Sequence, residues 1–197
     1  MILLKHVADI NAKSLNDRTS PSYDFHYLDL SCIEKGQITW PDAKISFANS
    51  PSRARRILSA GDIIMATVRP NLQAFAFADF EVDDVICSTG FALITPRRQQ
   101  DGKFIYQNIY SASLTAQIKG LLVGSNYPAI NSEDVSSLKL LWPSNRQESD
   151  KIGRVLFAAD REIEVLEQLK TQQQEQKKGL MQQLLTGKRR VMVEEVT

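Results

Sequence analysis

Apolar residues recur at steps of three and four towards the C-terminus, at Ile152, Leu156, Ala159, Ile163 and Leu166 and again at Leu180 and Leu184. That spacing returns side chains to one face of an α-helix and predicts a continuous helix from Asn145 to Thr186. Ser144 with Gln147 fits a capping box at its start. Gly187, followed by Lys188, Arg189 and Arg190, supplies a glycine stop and cations suited to a helix C-terminus. At about 1.5 Å per residue the helix is a rod about 60 Å long. A helix cannot bury its own apolar seam, so the pattern calls for a partner helix. Thr171–Lys178 offers almost no apolar contact. It reads either as a solvated stretch, or as a polar crossing that fixes register or receives another protein.

Upstream the period changes. His26–Ile33 alternates and is rich in Tyr, Leu and Ile, which predicts a strand. Asp62–Arg69 and Gln73–Phe80 flank the turn-forming break Pro70-Asn71-Leu72 and predict a hairpin. Val85–Cys87 and Phe91–Thr95 predict short strands around Ser88-Thr89-Gly90. Phe104–Tyr110 and Ser113–Leu122 predict helices, the second with Leu114, Ile118 and Leu121 on one face. Gly124–Pro128 reads as a loop, Ser132–Ser137 as a short helix with an acidic first turn, and Leu138–Trp142 as a closing strand. No internal repeat is visible. The expected class is α+β: a globular mixed domain over 1–143, a long helix over 144–187 and a tail over 188–197.

Composition changes this picture little. With 197 residues, 43% hydrophobic and 24% charged, the chain can build one cored domain plus an appendage. No apolar run approaches the roughly 20 residues that span a bilayer, and Met1–His6 is too soon interrupted by charge to read as a secretory signal. Cys32 and Cys87 sit in apolar stretches without metal-type spacing and read as reduced thiols, which implies the cytoplasm. The net charge of +1 does not by itself suggest a nucleic-acid partner; residues 1–143 carry 14 basic and 14 acidic side chains. If DNA is bound, basic groups must be gathered on one face.

Catalytic chemistry is hard to find. His6 and His26 are isolated, and Asp79, Glu81, Asp83 and Asp84 lack the spacing of a calcium loop and read as a solvated hairpin end. There is no Gly-rich phosphate loop, no Asn/Asp-Pro-Pro-aromatic motif and no Gly-x-Ser-x-Gly elbow. The expectation is no catalytic residue, no metal and no cofactor on this chain. The basic groups say more. Arg53, Arg55 and Arg56 cluster in a loop-like stretch after Asn49-Ser50-Pro51, while Arg69 and Asn71 stand at the hairpin turn. Arginine and asparagine there suit two-pronged contacts to guanine and adenine edges, and the other arginines suit phosphates. A salt bridge to a neighbouring acid is the plainer alternative for Arg69.

Gly61-Asp62-Ile63-Ile64, Thr67-Val68-Arg69-Pro70-Asn71-Leu72 and Cys87-Ser88-Thr89-Gly90-Phe91 resemble the target-recognition domains of type I restriction–modification specificity subunits. Tyr127–Val135, then Leu140-Leu141-Trp142-Pro143, resemble the stretch leading into that family's spacer helix, and Lys178–Gly187 resembles its close. The matches run in order over most of the chain.

The resemblance implies that residues 1–143 read a few base pairs of double-stranded DNA, with Ser125, Asn126 and Tyr127 joining Arg53, Arg55, Arg56, Arg69 and Asn71 in the DNA-binding set. It implies that the helix pairs in an antiparallel coiled coil through Ile152, Leu156, Ala159, Ile163, Leu166, Leu180 and Leu184. Separate methyltransferase subunits binding S-adenosylmethionine, and a translocating nuclease subunit using ATP and magnesium, would assemble on this frame. A full specificity subunit resembles two such units in tandem, whereas here there is one. The chain is then either a half-subunit that forms an antiparallel homodimer, favoured by Met1 and a complete-looking domain, or a fragment. The rival readings are a coiled-coil protein-interaction adaptor with no DNA role, and a small nuclease using Asp79–Asp84.

Overall fold

The structure, a computed structural model, describes residues 1–123 and 127–191. In chain order the strands are β1 (Ile2–Leu3), β2 (Ala8–Ile10), β3 (Asp24–Leu28), β4 (Ile33–Glu34), β5 (Gln37–Ile38), β6 (Ile45–Ser46), β7 (Ala54–Ile57), β8 (Ile63–Ala66), β9 (Phe75–Phe77), β10 (Val85–Ser88), β11 (Phe91–Pro96) and β12 (Lys139–Leu140). The helices are α1 (Gly102–Ile109), α2 (Ala112–Leu121), α3 (Ser132–Ser137) and α4 (Arg146–Leu185). The chain divides into two compact units, Met1–Arg154 and Val155–Thr197. The class is α+β.

Two four-stranded sheets make the first unit, ordered β6-β3-β10-β7 and β2-β11-β8-β9. In the first, β3 and β10 run parallel and the outer pairs antiparallel. The second is antiparallel throughout. The central strands β8 and β10 are buried at every position, which is why they read as unbroken apolar runs rather than alternating ones. Consecutive strands β10 and β11 lie in different sheets, so the short Thr89-Gly90 link ties the sheets together. Thr89 N donates to Arg53 O at 2.8 Å, and Gly90 O accepts from both the amide (2.9 Å) and the hydroxyl (2.8 Å) of Thr67. A Cβ on Gly90 would press on Leu30 Cδ1 at 3.2 Å, so this close passage suits glycine.

Helices α1, α2 and α3 lie where the pattern predicts them, within a residue or two, and the β8–β9 hairpin forms as predicted, though its strands are shorter by up to three residues at an end. Other expectations need correction. The strand predicted over His26–Ile33 ends at Leu28, because the Asp29 carboxylate accepts from Ser31 N (2.8 Å) and Ser31 Oγ (2.6 Å) and winds Leu30–Cys32 into a 3-10 turn. Those bonds also hold the Asp29 carboxyl below its ordinary pKa. The strand predicted over Leu138–Trp142 is only β12, paired with the unforeseen β1. Asn145, not Ser144, caps α4: its side-chain oxygen accepts from Gln147 N at 2.9 Å, being one residue closer to the free amides. Gly187 adopts φ 71° just beyond α4 and stops it as expected.

The first turns of α4 pack tightly against α1. Ser149 and Gly153 are buried, and Trp142 meets Phe104 edge-on at 5.0 Å. A Cβ on Gly153 would lie 2.6 Å from Phe104 N and 3.1 Å from Lys103 C, and backbone cannot swing aside as a side chain can. Gly153→Ala is therefore expected to destabilise. Overpacking costs about 1–3 kcal/mol, against which alanine's better helix propensity returns about 1 kcal/mol. With a net cost of up to about 2 kcal/mol, the melting temperature should fall by up to about 8 °C. Gly120→Ala, where a Cβ meets nothing within 4 Å, should raise it slightly. Thermal unfolding of the two variants checks the contrast.

Candidate nucleic-acid interface

Arg69 begins the turn between β8 and β9. It sits in left-handed backbone (φ 50°, ψ 49°), the 3-10 turn Pro70–Leu72 follows, and Gln73 closes it in the same region (φ 56°, ψ 37°). Each left-handed non-glycine residue costs roughly 1–2 kcal/mol, so the turn persists only because its surroundings hold it. Arg69 N donates to Pro128 O at 2.7 Å, Leu72 N to Arg69 O at 2.9 Å and Gln73 N to Pro70 O at 3.0 Å. Pro70 is buried, while Arg69, Asn71 and Leu72 are exposed. The chain from Tyr127 onward runs beside this turn: Val68 bridges Ala129, and Ile130 N donates to Thr67 O at 2.9 Å. The Arg69 guanidinium lies over the exposed Tyr127 ring, 4.2 Å from its centre. The structure thus brings Tyr127 onto Arg69, in the turn that also carries Asn71, from a distant position in the chain. Ser125 and Asn126 lie outside the described residues.

The second basic group is only partly in a loop. Arg53 is exposed in a turn, whereas Arg55 and Arg56 belong to β7, whose Ile57 and Arg56 pair with Ile86 and Cys87 before a bulge shifts the next pair to Ala54 and Ser88. The preceding Pro51 and the charge of Ala54-Arg55-Arg56-Ile57 disguise a strand whose burial comes from its neighbours. Arg55 lies over the Phe47 ring at 5.0 Å and donates to Ala54 O at 2.8 Å. Arg56 donates from Nη1 to Ser14 Oγ at 3.3 Å, its Nε is buried without a partner, and burial lowers its pKa. Residues 13–15 run along the outer edge of β7, with Leu15 N on Arg55 O (2.8 Å) and Ile57 N on Lys13 O (3.2 Å). This adds the exposed Lys13 to the basic edge, a residue that sequence reasoning missed because the pairing joins positions about forty residues apart. The two basic groups meet the same link between sheets: Thr89 is bonded to Arg53, and Gly90 to Thr67 two residues before Arg69.

Asp79, Glu81, Asp83 and Asp84 are exposed as expected, but they lie in the crossover from β9 to β10, which belong to different sheets, rather than at a hairpin end. Asp84 accepts from Lys44 Nζ (3.1 Å) and Tyr23 Oη (2.9 Å), and these bonds hold its carboxyl below the ordinary pKa. Among the described residues no group of three or more His, Cys, Asp or Glu could hold a metal ion. His6 is exposed, and His26 meets the Trp40 ring edge-on. Burial pushes both thiols up, Cys87 far above the ordinary range, which makes them poor nucleophiles. Asp62 is buried, and burial raises its pKa; it accepts from Thr95 Oγ1 (2.7 Å) and Ser59 N (2.8 Å) and serves to close the turn before β8.

An exposed turn held by backbone bonds on both sides suits recognition by contact. The chain belongs to the type I restriction modification DNA specificity domain family, whose model matches residues 4–174. It is similar to the type I restriction enzyme HindI specificity subunit of Haemophilus influenzae, 27% identical over 122 residues that make up 60% of this chain and 26% of that protein. It is also similar to the MjaVIII specificity subunit of Methanocaldococcus jannaschii, 26% identical over 139 residues, 68% of this chain and 32% of that one. The crystal structure of the HsdS subunit from Thermoanaerobacter tengcongensis superposes with a TM-score of 0.67 at 27% identity, covering 100% of this chain and 50% of that one. The chain therefore spans about half the length of that solved relative and a smaller share of the two curated ones.

Proposed function

We propose that this chain reads one half of a split double-stranded DNA target, that it catalyses nothing itself, and that it works in the cytoplasm. Methyltransferase subunits and a translocating nuclease subunit assemble on it, and S-adenosylmethionine, ATP and magnesium act on those partners. The observation that carries the reading is the strained, exposed Arg69–Gln73 turn, which presents Arg69 and Asn71. Family membership supports DNA as the partner. Arg53, Arg55 and Arg56 serve phosphates. Arg53 suits that role best, since Arg55 stacks on Phe47 and Arg56 is half-buried against Ser14.

The chain acts as an antiparallel homodimer through α4. Support comes from the seam: Leu156, Ile163 and Leu166 are 44%, 55% and 56% exposed in the single chain, and Leu180 and Leu184 are also uncovered. Among the described residues no helix is long and apolar enough to cross a membrane.

Arg69→Ala is expected to cost about 1–3 kcal/mol on the cognate half-site and to relax discrimination at one base pair. Arg53→Ala should instead weaken cognate and random duplexes alike and reduce the salt dependence by about one phosphate contact. Fluorescence titrations at two salt concentrations separate these outcomes. Unchanged site preference in Arg69→Ala would remove Arg69 from base reading.

A further inference from the structure

Two backbone anchors meet at the reading turn, and a side-chain stack joins them. Arg69 is pinned by its left-handed conformation and by the bond from its amide to Pro128 O. Tyr127 precedes Pro128, which restricts it to extended backbone. Ala129, two residues on, exchanges both amide–carbonyl bonds with Val123, at 3.0 and 3.1 Å. The backbone that carries the Tyr127 ring is thus held by its own segment, independently of the arginine side chain. Tyr127 remains 68% exposed even with the guanidinium over it.

A cation over an aromatic face is attracted to it, which favours the arginine rotamers that keep the guanidinium there. Stacking engages the flat face of a guanidinium, whereas hydrogen bonding uses its in-plane edge, so the two operate together. A bidentate arginine matches the N7 and O6 acceptors of guanine in the major groove. We propose that Tyr127 is a positioning residue: its ring holds the Arg69 guanidinium in the plane that reads one guanine of the half-site. This inference rests on the proposed DNA-reading function. It assigns Tyr127 a role in specificity without requiring that it touch a base.

The test uses the intact protein. Selection from random duplexes first defines the half-site, and each of its guanines is then replaced in turn by 7-deazaguanine, which keeps base pairing but lacks the N7 acceptor. Wild-type protein should bind about tenfold more weakly when one particular guanine is replaced. Tyr127→Phe, which keeps the stacking face, should behave the same. Tyr127→Ala and Tyr127→Leu should bind the unmodified half-site about tenfold more weakly and respond little to the 7-deaza change. Tyr127→Leu preserves bulk at the loop, so agreement between the two variants excludes a simple packing defect. If both keep the full wild-type response at that guanine, Tyr127 does not position Arg69. If the wild type ignores every 7-deaza substitution, the guanine assignment is wrong. If selection recovers no half-site at all, the DNA-reading function itself fails.

Discussion

Aspartate at Leu156 and Leu180 together is expected to turn dimers into monomers. Both side chains are exposed in the single chain, at 44% and 42%, so the substitutions remove nothing from a core of their own. They sit on one seven-residue rhythm: Ile152, Leu156, Ala159, Ile163 and Leu166 continue in phase through Lys170, Gln173 and Lys177 to Leu180 and Leu184. Burying a leucine is worth about 1.5–3 kcal/mol, so four such positions in a pair of chains supply about 6–12 kcal/mol. A dimer with a dissociation constant near 1 μM rests on only about 8 kcal/mol in all. Each aspartate also sets an ion against an apolar partner. Light scattering should report half the wild-type mass, with helix content nearly unchanged. A variant that stays dimeric at low micromolar concentration would show that this seam is not the contact.

The largest effect expected on specificity comes from length. Seven residues inserted within Gln172–Gln176 preserve the seam, because seven restores the heptad phase that the polar stretch already keeps. Each rod grows by about 10 Å at 1.5 Å per residue. At about 3.4 Å per base pair along the duplex, the preferred gap between half-sites should lengthen by about three base pairs. The half-site bases should stay the same, since no residue of 1–143 is altered. Added twist rotates one half-site against the other, so overall binding should weaken as the preferred gap shifts. An insertion variant that selects its original gap would show that the helix is not the ruler.

The long helix was legible in the sequence because its repeat spans many turns and ends on a glycine, and the β8–β9 hairpin because Pro70 and Asn71 punctuate it. Strands such as β1, β4, β5 and β6 escaped notice, since two residues are too few to show alternation. Arg55 and Arg56 read as loop because their strand is defined by pairing with β10 and by residues 13–15, not by local pattern. Local competition decided two boundaries. Asp29 captured Ser31 and cut a strand short, and Asn145 rather than Ser144 reached the amides of α4. At the candidate site, Arg69 and Asn71 stood out as polar residues in a turn. The left-handed backbone at Arg69 and Gln73, and the stack on Tyr127, depend on contacts between distant segments and carried no sequence signal.

Selection from random duplex DNA by the intact protein tests whether it recognises sequence as a two-fold assembly. A homodimer presents one reading surface twice about a two-fold axis, so the account predicts an interrupted palindrome with two identical half-sites at a fixed separation. Enrichment of no sequence, with binding that depends only on salt and duplex length, would contradict it.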